Sequence, residues 1–392
     1  MTLRTKISSG LGVSVLALAV SAVALPTIAQ AQDAAAGNQD DAIVVTGFRG
    51  SLDSSAAQKK ASSSIVEVIA PEDLGKLPDL SIAESLSRLP GLATQRLDGR
   101  ANVVSIRGLA PDFTTTLLNG REQVSAGNNR GVELDQYPTE LLNGAVVYKT
   151  PDAKLIGQAL GGTVDMKTVR PIAYGKRQVV VGLRGELNDL HKLNPDVSNK
   201  GYRANVFYVD QNDDETIGWA IGYARMQSPT QEERWNAWGY PDLNATTKVI
   251  GGAKPYVKSN ELKRDGLMGV LEFQPSDSFH TTFDGYWSKF KDDQRLRGIE
   301  LPLQWSGAQL QPGYSVADGL VTAGTYKGVE AVMRNDVVHR DADIWAIGNN
   351  TSFKANDTLT FDLDLSYSKL KKTEENLEIY LGTGRGGGVG AT

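Results

Sequence analysis

The sequence predicts a small α+β domain followed by part of an antiparallel transmembrane β-barrel, in a protein that is exported. Three observations carry this prediction. The N-terminus holds a short apolar stretch that ends in small residues, the next region mixes short strands with a capped helix, and the remainder alternates apolar and polar residues over long segments.

The composition excludes several classes of protein. The chain has 392 residues and a formal net charge of −5, which argues against a nucleic-acid binder. It has no cysteine, so it can form neither disulfides nor thiol-ligated metal sites. Its histidines, His191, His280 and His339, are far apart, and no Gly-x-Ser-x-Gly nucleophile turn follows residue 31. We therefore expect no metal, no cofactor and no enzyme activity.

Residues 1–31 are typical of a secretory signal peptide. Arg4 and Lys6 precede an apolar stretch from Leu11 to Leu25, which is too short to span a membrane comfortably. Ala29 and Ala31 are small enough for the signal peptidase, so we expect cleavage after Ala31.

Residues 32–50 are predicted to be a flexible lead with a short β-prone segment inside it. A β-branched segment on a flexible tether is suited to adding a strand to the sheet edge of another protein. It could equally be the first strand of the next domain, because β-propensity does not name a partner. The segment consists of Asp41, Ala42, Ile43, Val44, Val45, Thr46 and Gly47.

Residues 51–170 predict the α+β domain. Asp79 or Ser81 can cap a helix that places Ile82, Leu86 and Leu89 on one face and ends at Pro90-Gly91. A second short helix is predicted at residues 138–142. Short strands are predicted at residues 103–107, 115–118, 145–149 and 163–168.

Residues 171–392 predict about seven long strands of period two. In 358–368, for example, apolar residues occupy one face and polar residues the other. The other six candidates are residues 179–187, 202–209, 219–223, 267–273, 279–287 and 345–353.

The joins between these strands alternate in length, which favours a transmembrane barrel. A barrel has tight turns on one side of the membrane and long loops on the other, whereas a secreted β-sandwich has no reason for strict alternation. The short joins are 211–215, 274–278 and 354–357, and the long joins are 188–200, 226–262 and 289–342.

Taken together, these motifs resemble those of a TonB-dependent outer-membrane receptor. Asp41 to Gly47 resembles the TonB box, and Asp79 to Gly91 resembles the first helix and turn of the plug domain. Ile106-Arg107-Gly108 is similar to the family's Ile-Arg-Gly motif, Leu118-Asn119-Gly120 to its hydrophobic-Asp-Gly turn, and Glu140 to Thr150 and Gly161 to Asp165 to the end of the plug. The resemblance implies a plug domain at 51–170, barrel strands from 171, and TonB with its inner-membrane energising complex and outer-membrane lipid as partners.

One departure from the family pattern suggests a subgroup. The usual Gly-Pro and Leu-Tyr-Gly elements are replaced by Lys149 to Ala153 and by Leu160-Gly161-Gly162. This resembles the receptors common in Caulobacter-like and Xanthomonas-like bacteria, which implies active uptake of an oligosaccharide ahead of a siderophore or haem. A secreted carbohydrate-binding or adhesive β-protein without transport, and a passive porin, are the alternatives from other classes.

Two groups of residues are candidates for ligand binding. Trp235, Trp238 and Tyr240 lie in the join 226–262, where flat aromatic faces could stack on a sugar ring, although they could also form the interfacial aromatic girdle or pack the loop. Trp305, Tyr314 and Tyr326 in the next long join have the same two interpretations. In the α+β domain, a polar loop that could face the outer vestibule, or could be a solvated surface loop, contains Arg121, Gln123, Asn128, Asn129 and Arg130.

A third group is predicted to be structural. Arg107, beside Gly108, is expected to form an ion pair between the plug and the barrel wall, because a buried arginine must be paired. Gly161 and Gly162 resemble the closing glycines of the plug.

The number of predicted strands is too small for a closed barrel of this family. Such a barrel has about 22 strands, and an open sheet edge in lipid would leave backbone groups without partners. We therefore expect the chain to be a fragment of a longer receptor.

Overall fold

A computed structural model describes residues 47–70, 81–97, 99–155 and 159–382. The predicted signal peptide, residues 41–46 of the β-prone segment and the alternative cap Asp79 lie outside the described residues. None of the described helices is long and apolar enough to cross a membrane.

The N-terminal domain, residues 47–170, contains short elements around one apolar core. Its helices are α1 (Gly47–Ala61) and α2 (Ile82–Leu86), and a short helix α3 (Pro171–Tyr174) follows it and packs against the long strands described below. Its strands are β1 (Val66–Ile69), β2 (Leu92–Leu97), β3 (Arg100–Ile106), β4 (Thr114–Leu118), β5 (Arg121–Glu122), β6 (Gly144–Tyr148) and β7 (Gly162–Lys167). Five of these strands form one sheet in the order β1-β6-β7-β4-β5, while β2 and β3 form a separate hairpin.

Helix α2 follows the predicted capping but is shorter than predicted. The Ser81 hydroxyl accepts a hydrogen bond of 3.2 Å from the backbone N–H of Glu84, which satisfies one of the free donors of the first turn. Ile82 and Leu86 are fully buried in the apolar core, where the helix contacts the β2–β3 hairpin. The predicted helix at 138–142 is a single 3₁₀ turn, Thr139–Leu141.

Helix α1 was not predicted, and it corrects one residue of the β-prone segment. Gly47, predicted to be extended, is the first residue of α1. The helix is rich in Ala, Ser and Lys and buries few side chains, so it carries no apolar period that a sequence pattern could detect. Strands β1 and β2 were also missed.

Gly162 occupies a backbone position that only glycine fits without strain. Its φ is +149°, and a Cβ atom there would lie 2.6 Å from the carbonyl oxygen of Tyr148. We expect Gly162→Ala to lower the free energy of unfolding by about 2 kcal/mol, measured by chemical denaturation. The control is Gly185→Ala, because a Cβ there meets no atom within 4 Å. Equal losses in both variants would contradict this account.

The long sheet confirms all seven strands predicted after residue 170. Its strands are β8 (Gln178–Leu187), β9 (Lys200–Gln211), β10 (Ile217–Ala237), β13 (Gly252–Ser276), β14 (Phe279–Pro302), β19 (Val332–Asn356) and β20 (Leu359–Leu377). Each pairs antiparallel with the next in this order. The edge strands β8 and β20 are not paired with each other among the described residues, so the sheet is open.

The joins between the long strands alternate in length as predicted, but the strands extend further than predicted. The long joins become 238–251 and 303–331 rather than 226–262 and 289–342. These two loops contain short strands of their own. The short strands are β11 (Asp242–Asn244), β12 (Thr247–Lys248), β15 (Gln309–Leu310), β16 (Ser315–Ala317), β17 (Leu320–Ala323) and β18 (Tyr326–Lys327), and β21 (Tyr380–Gly382) follows later and pairs with β19.

The two faces of the long sheet differ in chemistry. The inner face contacts the N-terminal domain, and inner residues such as Phe207, Ala220 and Ile344 are buried. The outer face exposes apolar side chains toward the short-turn end, including Val181, Ile221 and Phe283. Outer residues that pair on neighbouring strands form rows across the sheet. The apolar row nearest the long-loop end consists of Tyr223, Leu267, Trp287 and Trp345. The next row is Arg225, Asp265, Lys289 and Asp343.

Candidate functional site

A polar cleft on the N-terminal domain brings together several of the predicted ligand-binding residues. The cleft has a volume of about 170 Å³. Gln123, Asn129 and Arg130 line it, whereas Arg121 and Asn128 do not. Its other lining residues are mostly hydroxyl or carboxylate side chains, namely Asp112, Thr114, Thr115, Thr116, Glu122 and Ser125, with Val132 as the apolar member.

Ser125 fixes the loop on one side of this cleft. Its hydroxyl oxygen accepts hydrogen bonds from the backbone N–H groups of Gly127 (3.2 Å) and Glu133 (3.0 Å). The amide of Gln136 donates to the Glu133 carboxylate at 3.1 Å, and its oxygen accepts from the N–H of Ala126 at 3.4 Å. The loop is therefore closed by its own side chains and does not depend on a ligand for its shape.

The hydroxyl of Thr114 forms no hydrogen bond with the described residues, so it is available to water or a ligand. The residue is 6% exposed, and its hydroxyl has no hydrogen-bond partner among the described side chains and backbone groups. A buried hydroxyl without a partner is costly unless water or a ligand satisfies it. Thr114 was not predicted as a site residue, because a run of three threonines in a sequence indicates only a strand.

Asn128, Asn129 and Arg130 are exposed at the tip of the loop, which agrees both with a vestibule loop and with a solvated surface loop. The Asn128 side-chain oxygen accepts a hydrogen bond of 2.7 Å from Lys372 on the inner face of β20. The tip of the loop is thus attached to the long sheet beside the cleft.

Arg121 has a different role from the one predicted. Its side chain is buried, and Nε lies 2.7 Å from Asp364 Oδ1 while NH2 lies 3.0 Å from Asp364 Oδ2. Its NH1 donates to Asp284 on β14. Burial would lower the pKa of Arg121, but the hydrogen bonds to both carboxylates raise it, so the guanidinium stays charged. Arg121 therefore joins the N-terminal domain to two strands of the long sheet.

Arg107 does not make the predicted ion pair. It is exposed in a turn with φ of 56°, and no carboxylate of the described residues lies within salt-bridge distance. Arg121 makes this contact to the long sheet instead. Gly108 has φ of +76°, and Gly161 donates its N–H to the carbonyl of Phe113 at 2.9 Å, so the predicted glycines do occupy tight backbone positions.

A second polar contact joins the N-terminal domain to the inner face of the long sheet. Arg100 lies 3.8 Å from Asp135 and 3.4 Å from Asp292 on β14. Arg340 on β19 lies 3.1 Å from Glu133 and 3.4 Å from the same Asp292. The N-terminal domain is thus held to the long sheet by ion pairs, and ion pairs can exchange with water when the two parts separate.

The predicted aromatic cluster is split by the structure. Trp235 lies in strand β10 rather than in a loop, and its side chain is on the outer face, away from the N-terminal domain. Trp235 is therefore not in the loop that was predicted to hold it with Trp238 and Tyr240, because β10 extends to Ala237. Trp238 packs beside Lys254, whose Nζ lies 5.2 Å from the ring centre, and Tyr240 is exposed in the loop.

No group of three or more acidic or histidine side chains in the described part of the chain is arranged to hold a metal ion.

One part of the chain matches a known family model. Residues 58–163 match the family model described as the TonB-dependent Receptor Plug Domain, a family of receptors rather than of enzymes. Among solved structures, the chain is similar to the ferric citrate transporter FecA in the unliganded form, with 13% identity, a TM-score of 0.39, and coverage of 86% of this chain and 62% of FecA.

Two other solved structures are similar at the same level. The siderophore receptor PirA from Acinetobacter baumannii is 13% identical with a TM-score of 0.35, over 80% of this chain and 55% of PirA. The outer membrane transporter YddB from Escherichia coli is 14% identical with a TM-score of 0.39, over 80% of this chain and 54% of YddB. The chain spans less than two thirds of the length of each of these proteins.

Proposed function

Because residues 58–163 match the plug domain of TonB-dependent receptors, we propose that this chain carries the plug and the first barrel strands of an outer-membrane receptor for active nutrient uptake. One observation carries the proposal. The plug packs by ion pairs against one face of an antiparallel sheet whose opposite face is apolar. A soluble sandwich would bury that second face under another sheet.

The outer face of the long sheet fits a lipid environment. The apolar region ends in a row with Tyr223, Trp287 and Trp345, and the next row is charged. Aromatic rings favour the boundary between hydrocarbon and water, and transmembrane barrels carry such girdles. The long loops lie beyond this boundary, and in this proposal they are at the cell surface while the short turns are in the periplasm.

The proposed transport mechanism uses the β-prone segment Asp41 to Gly47 as a TonB box. TonB would bind it by strand addition in the periplasm and pull on the plug, with energy from the inner-membrane complex. The contacts that resist this pull are the ion pairs of Arg121 with Asp284, of Arg100 with Asp292 and of Arg340 with Glu133. Charged contacts suit an interface that opens and closes, because water can solvate both partners when it opens.

The proposed cargo is an oligosaccharide, and a siderophore or haem is the alternative. The cleft between Thr114 and Arg130 offers hydroxyl, amide and carboxylate groups and little apolar surface. Sugar hydroxyls need partners of this kind, whereas the flat apolar face of haem does not. Gln123, Asn129, Arg130 and Thr114 are the side chains we propose for this contact.

Deletion of residues 43–46 tests the transport proposal. We expect cells that carry the deletion to bind the nutrient at the surface but to lose its energised uptake at least about tenfold, measured with a radiolabelled oligosaccharide. The matched control deletes residues 34–37, which are also four residues of the flexible lead. Uptake that survives deletion of 43–46 would contradict TonB-dependent transport and favour passive passage.

A further inference from the structure

The two long surface loops, residues 238–251 and 303–331, are joined to each other. Lys248 in β12 pairs with Leu320 in β17, and its N–H donates to the carbonyl of Gly319 at 2.7 Å. The N–H groups of Leu303 and Trp305 both donate to the carbonyl of Gly251, at 3.2 and 3.1 Å. Loops that share backbone hydrogen bonds present their side chains in fixed positions.

Trp305 is held against two glycines of the neighbouring loop and is still 58% exposed. A Cβ atom on Gly239 or on Gly251 would come within 2.9 Å of the indole ring. Neither glycine can therefore be replaced without displacing the ring. The ring is therefore fixed in position although more than half of its surface remains open to a ligand.

The two loops that hold Trp305 carry few charged residues. Across both loops the charged residues are Asp242, Lys248, Asp318, Lys327 and Glu330. Lys248 is already paired with Asp242 at 2.7 Å. The remaining side chains near Trp305 in sequence are amides and hydroxyls, such as Gln304, Ser306 and Gln309.

We propose that the indole of Trp305 is the stacking platform of a surface site for a neutral sugar ring. A pyranose presents a C–H face that stacks on an indole, and its hydroxyls pair with amide and hydroxyl side chains. An anionic iron chelate would require cationic partners, which these loops supply sparsely. Tyr240, which follows Gly239 and is exposed, is a second ring for an adjoining sugar. This site rests on the proposed uptake function and names its substrate class.

Binding to the full chain in detergent micelles tests the site. The probes are maltohexaose, cellohexaose and xylohexaose, with ferric citrate as the anionic comparison, and the measurements are calorimetry and protection of tryptophan fluorescence from acrylamide. We expect Trp305→Ala to weaken binding of the preferred hexaose at least about tenfold and Trp305→Phe about threefold, because a smaller ring keeps part of the stacking surface.

Two further variants test whether the loss of binding is specific to the Trp305 ring and its position. Trp235→Ala removes another exposed tryptophan, 63% exposed on the outer face of β10, and should leave Kd within about twofold. Gly251→Ala keeps Trp305 but displaces its ring, so it should weaken binding as well. Equal losses for Trp305→Ala and Trp235→Ala, no loss for Trp305→Ala, or binding of ferric citrate but of no hexaose would overturn the assignment.

The experiments distinguish a failure of the sugar-site proposal from a failure of the transport proposal. Deletion of residues 43–46 should not change the Kd for the hexaose, because the platform lies on the loops. If Trp305→Ala abolishes binding while the deletion leaves uptake intact, the sugar site stands and TonB-dependent transport fails. If no hexaose binds while the deletion abolishes uptake of another nutrient, transport stands and the sugar site fails.

Discussion

Replacing Arg121 by methionine is expected to lower the stability of the docked plug by about 3–5 kcal/mol, the typical cost of removing one partner from a buried ion pair. The substitution leaves Asp284 and Asp364 facing the space vacated by the guanidinium. Asp284 is nearly buried, so water cannot fully solvate its charge when the guanidinium is removed. A Cβ on Gly348 would collide with the guanidinium of Arg121, which shows how closely the strand passes the arginine.

The charge balance of the contact can be tested by compensation. If uncompensated carboxylates cause the loss, Arg121→Met combined with Asp284→Asn and Asp364→Asn should recover a large part of it, because the triple variant leaves no buried charge unpaired. If the loss instead reflects the volume of the arginine side chain, the triple variant should be no more stable than the single one.

Thermal unfolding in detergent and limited proteolysis of the plug measure the effect of Arg121→Met. The matched control is Arg96→Met, which breaks a plug ion pair with Glu84 in which the arginine is 56% exposed. Exposed pairs contribute about 0–1 kcal/mol, so the control should behave nearly as wild type. A plug that remains protease-resistant in Arg121→Met would show that the other contacts hold it without Arg121.

The same contact bears on the proposed transport mechanism. Arg121 links the plug to β14 and to β20, Arg100 links it to Asp292 on β14, and Arg340 on β19 links it through Glu133. Each of these pairs crosses from the plug to the sheet. In the proposed mechanism a pull at the N-terminus separates them, so weakening Arg121 should ease plug opening as well as destabilise the docked state.

The sequence predicted the long strands well where the residues on the two faces differ in size or polarity. Near the short turn of β10, apolar outer residues such as Ile221 and Tyr223 alternate with small inner residues such as Ala220 and Gly222, and the period of two is visible. Beyond the row of Tyr223 and Trp287 both faces carry polar residues, so the period vanishes although the strands continue. This explains why residues 226–237 and 289–302 were assigned to loops and why Trp235 was misplaced.

The choice between Arg107 and Arg121 could not be made from the sequence. Both arginines lie near glycine turns in the plug, and motif resemblance favoured Arg107. The partners of Arg121 are 163 and 243 residues away in the chain, and only the strand register brings them beside it. Trp305 was named as a candidate, but its fixation by Gly239 and Gly251 depends on two loops meeting in space.

Asp135 is expected to make the docked plug more stable under mildly acidic conditions. The residue is 3% exposed, and neither carboxylate oxygen accepts a hydrogen bond from the described residues. Burial raises the pKa of Asp135 from 3.8 to about 6, although Arg100 opposes this shift. The other charged groups that face it are Glu133, Arg340 and Arg264, and Asp292 shares the same arginines.

The direction of the pH dependence follows from proton binding. Between pH 4 and pH 6 the folded protein holds a proton on Asp135 that the unfolded chain has released, so stability falls as pH rises through this window. A shift of about two pKa units corresponds to about 3 kcal/mol between the two ends. Above pH 6 this contribution should no longer change, because the carboxyl is then ionised in both states.

Asp135→Asn isolates this contribution from those of other titrating groups. Relative to wild type, the variant should gain stability at pH 7.5 and lose the gain at pH 4, measured by unfolding at a series of pH values. Glu67→Gln is the control, for which the expected change in stability at neutral pH has the opposite sign. Burial acts to raise the pKa of Glu67, but Lys149 and Lys59 lower it, so its carboxylate stabilises the protein at neutral pH and that variant should lose stability there. If Asp135→Asn also lost stability at pH 7.5, the arginines around Asp135 would outweigh its burial, and its ionised form would be part of the attachment of the plug.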